Sequence, residues 1–151
     1  MDILKITPEN RAQYENTAVA FAGRIELAPR MGLLSFVSIS ATLSIVAEAG
    51  TGIEAGWGIE AGTGIKAGWG IKAGEGIKAG TGIEAGWGIK AKTLTVALRI
   101  FAGLCICRIP DASEMEIRAK VLSGTVCYGT VVEPVEQHQA EAPEAGVIPS
   151  N

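Results

Sequence analysis

A six-residue unit repeats without error from Ile53 to Gly88, and it constrains the fold more than any other feature of the chain. The unit reads Ile, Glu or Lys, Ala, Gly, a variable residue and a second Gly, where the variable residue is Trp, Thr or Glu. Because Ile and Ala stand two positions apart, their side chains point to the same side of a short strand, and the charged residue between them points away. Such a strand is too short to be stable alone, so we expect it to stack on its equivalent in the next coil of a β-solenoid.

The Gly-x-Gly that closes each unit predicts a corner of the coil, because glycine accepts backbone conformations that strain other residues. The variable position accepts Trp and Glu interchangeably, which a tightly packed core does not allow. We therefore expect the variable residues at the corners, pointing outwards or partly outwards. Beyond the perfect tract, the apolar pattern changes parity around Lys92, which predicts the end of the regular coils.

Charge pairing indicates how many units form one coil. A coil of two units would place Lys66 beside Lys78 and Lys78 beside Lys90, and like charges in adjacent strands are unfavourable. A coil of three units instead stacks Trp69 on Trp87 and brings most charged residues beside one of opposite sign. The expected ion pairs are Glu54–Lys72, Glu60–Lys78 and Lys66–Glu84. The sequence therefore predicts three-sided coils.

These patterns predict an all-β, single-domain β-solenoid (a β-helix) of six-residue repeats in three-sided coils, with short N- and C-terminal caps. An open coil exposes core side chains and unpaired backbone groups, so we expect both ends to be covered. The expected segments are an N-terminal cap at 1–32, the solenoid at 33–107 with the perfect hexapeptide core at 53–88, a C-terminal cap at 108–132 and a disordered acidic tail at 133–151.

Local signals indicate how the two caps are built. In the N-terminal cap, Thr7–Pro8 suits the start of a short helix, and residues 17–28 have the pattern of an extended hairpin arm. In the C-terminal cap, the strand candidates Glu116–Val121 and Thr125–Val132 flank Ser123–Gly124. A Ser-Gly pair between two strands predicts a tight turn, so we expect a hairpin there.

Composition excludes two classes of partner. The net charge is −3 and Lys and Glu are interleaved along the repeat, so no basic patch is expected and we predict no direct nucleic-acid binding. The uncharged stretch Met31–Ala47 alternates from Val37 onwards, which is typical of strands and argues against a membrane span. The start of the chain lacks a charged lead followed by an apolar core, so we expect a reducing, cytoplasmic location.

Catalytic and metal-binding groups are scarce, so we predict that the protein is not an enzyme and holds no cofactor. Its single histidine, His138, lies in the expected tail, and cysteine-based catalysis needs a base within reach. Cys105, Cys107 and Cys127 lack the fourth ligand of a tetrahedral zinc site. We therefore expect neither a catalytic residue nor a metal site.

The aliphatic residue at every sixth position resembles the hexapeptide-repeat family of left-handed β-helices, and the resemblance covers about half of the chain. Many members of that family are acyltransferases that use a histidine between neighbouring coils, and this chain has no histidine in its repeats. The family also prefers a small residue two positions before the aliphatic one, where this chain has Trp, Thr or Glu. The acyltransferase activity therefore does not carry over.

A looser resemblance concerns function. Repeat tracts of this kind between short caps are similar to those of small proteins from phages and mobile elements, among which anti-CRISPR proteins are rigid, non-catalytic binders. The resemblance implies a protein-binding inhibitor that occludes a bacterial defence complex, such as a CRISPR effector ribonucleoprotein. The alternatives are a self-assembling structural scaffold of the bactofilin type and a degenerate hexapeptide-repeat transferase. The oligomeric state stays open, with a dimer among the options.

The variable and charged positions of the repeat supply the candidate contact residues. Stacked, exposed aromatic side chains are common anchors of protein interfaces, and we expect the third tryptophan near the stacked pair. The alternative is that the tryptophans only cover the corners of the coils. The candidate partner-binding residues are Trp57, Trp69, Trp87, Glu54, Glu60, Glu75, Glu84, Lys66, Lys72 and Lys78.

Overall fold

The computed structural model describes residues 2–103 and 112–133, which form a single-domain β-solenoid of about five turns. The fifteen strands of these described residues join in one continuous sheet, which wraps around three faces that we name A, B and C. Face A holds β1 (Ile3–Ile6), β3 (Arg24–Leu27), β6 (Ile45–Ala47), β9 (Gly64–Ala67) and β12 (Gly82–Ala85). Face B holds β4 (Gly32–Phe36), β7 (Thr51–Ala55), β10 (Ile71–Ala73) and β15 (Thr130–Val131). Face C holds β2 (Ala18–Phe21), β5 (Ser38–Ala41), β8 (Ile59–Ala61) and β11 (Gly76–Ala79).

The chain visits the faces in the order A, B, C in every coil. Two longer strands, β13 (Ile89–Ala102) and β14 (Glu116–Tyr128), pass over all three faces in turn. The described residues also include a short helix α1 (Arg11–Tyr14) and a 3-10 turn at Ala112–Met115. None of the helices in the described residues is long and apolar enough to cross a membrane.

Neighbouring coils stack in parallel, so that each position of the repeat lies beside its own kind. On face B, Ile53 pairs with Ile71 and Ile71 with Ile89, and the alanines two positions later follow the same register. Equivalent residues in the perfect tract are 18 positions apart, as Thr63 and Thr81 are. This register confirms the prediction of three units per coil. The isoleucines and alanines are buried along the solenoid axis, and each isoleucine removed from water stabilises the fold by about 1.5–3 kcal/mol.

In five of the six repeat units, the first glycine is required because the preceding coil passes close to it, whereas a Cβ on Gly56 would lie 3.8 Å from its nearest neighbour. A Cβ on Gly62, Gly74 or Gly80 would overlap a backbone carbonyl oxygen of the coil before it. None of the glycines from Ile53 to Gly88 has a left-handed backbone conformation. The expected reason for these glycines, a strained backbone at the corner, is therefore wrong, and the actual reason is steric.

The second glycine of each unit has more room. A Cβ on Gly64 would lie 3.4 Å from its nearest neighbour, the carbonyl oxygen of Gly82, which is ordinary contact. Larger residues take the same position elsewhere in the solenoid, since Thr93 pairs with Gly76 and Arg99 with Gly82. The two glycines of the unit therefore differ in how strictly the fold needs them.

The N-terminal segment forms the first coil of the solenoid. The hairpin arm expected at residues 17–28 is wrong, because β2 and β3 lie on different faces and each pairs in parallel with the next coil. Helix α1 takes the place of a strand on face B. It is held over β4 by the Asn16 N–H, which donates to the Ser35 carbonyl, and by the Arg11 guanidinium, which donates to the Met31 carbonyl.

The C-terminal segment also continues the solenoid, and the expected hairpin is wrong. Strand β14 runs in parallel with β13 from one end to the other, so Gly124, whose φ is 109°, turns a corner between faces and does not reverse the chain. The buried neighbours of Val121 and Val126 in β13 are Leu94 and Ile100. Their contacts hold the strand in this register.

The regular coils do not end at Lys92, and the solenoid extends past residue 107 to β15. The change of parity arises because the coil that contains β13 is one residue shorter: Lys92 follows Glu75 by 17 positions, not 18 as in the perfect tract. Residues 104–111 and the expected tail from 134 to 151 lie outside the described residues.

We predict that Gly80→Ala and Gly64→Ala have very different effects on stability. Gly80→Ala forces a side chain against a backbone carbonyl, so the free energy of unfolding should fall by about 3 kcal/mol. Gly64→Ala makes only ordinary van der Waals contacts, so the change should stay within about 1 kcal/mol. Urea unfolding followed by circular dichroism measures both, and equal losses for the two variants would contradict the steric explanation.

Candidate functional site

Three rows of corner residues follow the variable position of the repeat, one row along each edge of the solenoid. Within a row, the backbone N–H of one residue donates to the carbonyl oxygen of its equivalent in the coil before. The A–B row is Thr51, Trp69, Trp87 and Gly103, the B–C row is Val37, Trp57, Glu75 and Lys92, and the C–A row is Leu43, Thr63, Thr81 and Leu98. The variable residues therefore lie at the corners, as the sequence predicts.

The A–B corner presents an apolar strip that we call the tryptophan edge, formed by Leu33, Trp69 and Trp87. The two indole rings are stacked, with centroids 5.2 Å apart and planes inclined by 6°. Trp87 is 38% exposed, and Trp69 is half-buried beneath it. Atoms of Leu33 and Trp69 both border the place that a Cβ would take on Gly52. The missing side chain of Gly52 therefore lets the exposed Leu33 extend the strip.

Trp57 does not join this strip. It lies on the B–C corner, where its side chain is 67% exposed and its N–H donates to the carbonyl of Val37, also exposed. The coil above it places Glu75 at the equivalent position. The expectation that Trp57 lies near the stacked pair is therefore wrong. Face B nevertheless lies between the two corners, so all three tryptophans border the same face.

The outward side chains of face B form a row along the solenoid axis that holds one carboxylate followed by three cations. Ser35, Glu54, Lys72, Lys90 and Arg118 follow one another in neighbouring strands. The Glu54 carboxylate accepts a hydrogen bond from the Ser35 hydroxyl at 3.0 Å and lies 3.4 Å from the Lys72 ammonium. At the adjoining corner, Glu75 and Lys92 form an ion pair of 3.1 Å. Face B therefore offers a row of both charge signs between the apolar tryptophan edge and a second border that carries Trp57 beside an ion pair.

The remaining candidate contact residues lie on the other two faces. Glu60 and Lys78 pair at 3.9 Å on face C, and Lys66 and Glu84 pair at 3.4 Å on face A. All three ion pairs expected from a three-unit coil are thus present. Exposed pairs of this kind contribute little to stability, typically below about 1 kcal/mol. The structure therefore divides the candidate set: Trp57, Trp69, Trp87, Glu54, Lys72 and Glu75 border or lie on face B, whereas Glu60, Lys78, Lys66 and Glu84 do not.

Within residues 2–103 and 112–133, no group of three or more His, Cys, Asp or Glu side chains could hold a metal ion. A shallow groove of about 870 Å³ follows face C, but it is lined mainly by alanine and glycine, and its Glu60 and Lys78 pair with each other. His138, Cys105 and Cys107 lie outside the described residues, and Cys127 is exposed on β14.

We predict that the Lys66–Glu84 ion pair contributes to the stability of the fold only through the attraction between its two opposite charges. Its neighbours along the row, Val46 and Phe101, are uncharged, so the pair can be tested in isolation. Lys66→Glu should lower the free energy of unfolding by about 0.5 kcal/mol, and the added change Glu84→Lys should restore it. Urea unfolding at low salt measures both, and high salt should reduce the difference. Failure of the double variant to recover would contradict this role.

No protein-family model, curated protein or solved structure matches this chain. Its own geometry presents face B, bordered by the tryptophan edge on one side and by Trp57 on the other, as the candidate site.

Proposed function

We propose that this protein is a non-catalytic protein-binding module that contacts its partner through face B. The observation that carries the proposal is the tryptophan edge, in which two stacked indole rings stay partly exposed to solvent. Large exposed aromatic side chains are over-represented among the residues that dominate binding energy at protein interfaces. Stacked on each other and open on their outer side, these rings provide such an anchor.

The rigidity of the edge supports this use. Trp69 and Trp87 are attached to neighbouring coils whose backbones hydrogen-bond at this corner, and their rings stack nearly parallel to each other. Side chains that are already ordered lose little conformational entropy on binding. A partner would therefore gain most of the favourable contact energy of both rings.

The charges of face B favour a protein partner over a nucleic acid. Three of the four cations on or beside this face, Lys72, Lys92 and Arg118, lie within 4.0 Å of a carboxylate, from Glu54, Glu75 and Glu116 respectively. Cations that are already paired give a weak phosphate-binding surface, because each must leave its carboxylate to contact the nucleic acid. A row of both signs instead suits a protein surface with the complementary pattern, which adds specificity.

The partner class we propose is a bacterial defence complex such as a CRISPR effector, which a small rigid solenoid would occlude by covering a working surface. The similarity of the repeat tract to small phage and mobile-element proteins supports this choice. The bactofilin-like scaffold has less support, because helix α1 occupies the place of the first strand on face B and makes the N-terminal end unlike the C-terminal one. The degenerate transferase has no histidine within the described coils.

Capture of the effector by tryptophan variants tests the proposal. A tagged chain should retain the effector complex stoichiometrically from lysate of bacteria that carry it. The variants Trp69→Ala/Trp87→Ala and Trp57→Ala should reduce retention at least about tenfold, since anchor residues contribute about 2 kcal/mol or more. The measurement is mass spectrometry of the retained proteins, with affinity of the purified pair as the quantitative readout.

The matched control is Thr63→Ala/Thr81→Ala, which removes side chains from the same repeat position at the C–A corner. This variant should retain the effector like the unchanged chain, and circular dichroism should find all variants folded. Equal retention by the tryptophan and threonine variants would show that face B is the wrong surface. Recovery of only the chain itself in large assemblies would favour the scaffold.

A further inference from the structure

The outer edge of β14 is open over most of its length. On face B the strand β15 pairs with Glu116–Ile117 and closes the last coil. Over faces C and A, residues Lys120–Tyr128 pair with β13 on one side, and no strand of the described residues pairs with them on the other. Leu122 is 57% exposed, Val131 is 40% exposed, and Tyr128 is exposed as well. An edge of this length with apolar side chains and free backbone groups is a template for pairing with another strand.

The last turn of the chain is nearly symmetric when it is read in both directions from the middle of face A. Residues 120–133 read Lys-Val-Leu-Ser-Gly-Thr-Val and then Cys-Tyr-Gly-Thr-Val-Val-Glu. Read outwards from Val126 and Cys127, the sequence places Gly124 opposite Gly129 and Ser123 opposite Thr130. The next pairs outwards are Leu122 with Val131 and Val121 with Val132, and the outermost pair is Lys120 with Glu133. Apart from Thr125, which stands opposite Tyr128, similar residues therefore face each other along the edge, and the two charges at its ends have opposite signs.

In the structure, the residues related by this sequence symmetry lie at equivalent places on either side of face A. Gly124 and Gly129 both have a positive φ, of 109° and 122°, and they turn the chain at the two corners on either side of face A. The exposed end of the solenoid thus consists of one segment on face C, one on face A and β15 on face B. A two-fold axis through the middle of face A exchanges the outer two segments and returns the central one to itself.

We propose that two copies of this chain join through this end, with their β14–β15 edges paired antiparallel about a two-fold axis between Val126 and Cys127. Each corner glycine then faces a corner glycine, and Leu122 of each copy packs beside the partner's Val131. Lys120 lies beside the partner's Glu133. Such an interface is isologous and closed, so it produces a dimer and no filament.

The other end of the solenoid does not offer the same join. At the N-terminus, α1 covers β4, and the Asn10 side chain donates to the Lys5 carbonyl at the edge of β1. The edge there carries Lys5 between its apolar residues, and one backbone acceptor is already satisfied by a side chain. Edges blunted in this way resist further pairing, which favours the C-terminal end as the place where a second copy binds.

The molar mass of the full chain in solution tests the proposal. Light scattering on the eluting protein should give twice the chain mass of 15.6 kDa. In the double variant Leu122→Lys/Val131→Lys, the new lysine at 122 of each copy would lie beside the new lysine at 131 of the other copy. This repulsion occurs at two equivalent places in the dimer, so the measured mass should fall by half. Leu122→Lys/Val131→Glu places opposite charges there and should restore the dimer. The two residues lie on different faces of one chain, so the compensation can arise only between copies.

Cross-linking at the axis gives an independent readout that does not depend on stability. In a chain with Cys105→Ser and Cys107→Ser, a short bis-maleimide should join two copies through Cys127, which is exposed. A control that moves the thiol to the second coil, Cys127→Ser/Thr42→Cys in the same background, should give no cross-linked dimer. The control site is exposed as well.

Three results would overturn the proposal: a single-chain mass for the unchanged protein, a dimer that persists in Leu122→Lys/Val131→Lys, or a ladder of larger assemblies. The last would indicate head-to-tail stacking. Val131 lies at the end of face B, but the substitutions leave the tryptophan edge, Trp57 and the charged row from Glu54 to Arg118 unchanged. Loss of the dimer with partner capture intact therefore separates this inference from the proposed function.

Discussion

Each isoleucine of the perfect tract lies between two aliphatic side chains, one from the coil before and one from the coil after. Both are isoleucines except beside Ile53 and Ile77, where one is a leucine. Within the tract this contact depends on parallel stacking at a spacing of 18 residues. The spacing requires that successive coils approach closely at their corners. There the first glycine of every unit from Gly62 onwards passes a carbonyl oxygen of the preceding coil with no space for a side chain. Burial of the isoleucine column and the absence of a side chain at that glycine are therefore two aspects of one constraint.

The number of repeat units in one coil could be predicted from the sequence because several residue pairs at the same spacing indicate it independently. A coil of two units and a coil of three units place different charges side by side, and only the second pairs Glu54 with Lys72 and Lys66 with Glu84, as found. The stack of Trp69 on Trp87 follows from the same spacing. Leu33 was not predicted as part of the tryptophan edge, because it stands outside the perfect tract and becomes its neighbour only through Gly52.

The ends of the solenoid could not be predicted from local signals. A glycine with positive φ serves equally well in a hairpin turn and at a corner between two faces. At Gly124 the choice is made by distant contacts, since Val121 and Val126 pack beside Leu94 and Ile100 in the coil before. The same applies to Gly23, which separates β2 from β3 and turns the first coil from face C to face A. Local turn propensity cannot distinguish these outcomes, whereas the register of the whole stack can.

A fold that depends so strongly on inward isoleucines and alanines leaves its outward positions free to vary. The variable position holds Trp at the A–B corner, Thr at the C–A corner and Trp or Glu at the B–C corner, while the stacking of the coils beneath is unchanged. Binding residues can therefore be concentrated on face B without disturbing the core. The last coil differs from the inner ones, because its outer edge has no further coil to pair with among the described residues. Its near-symmetric sequence supplies that missing partner from a second copy, and the hydrogen bonding that stabilises every inner coil then extends to the outermost one.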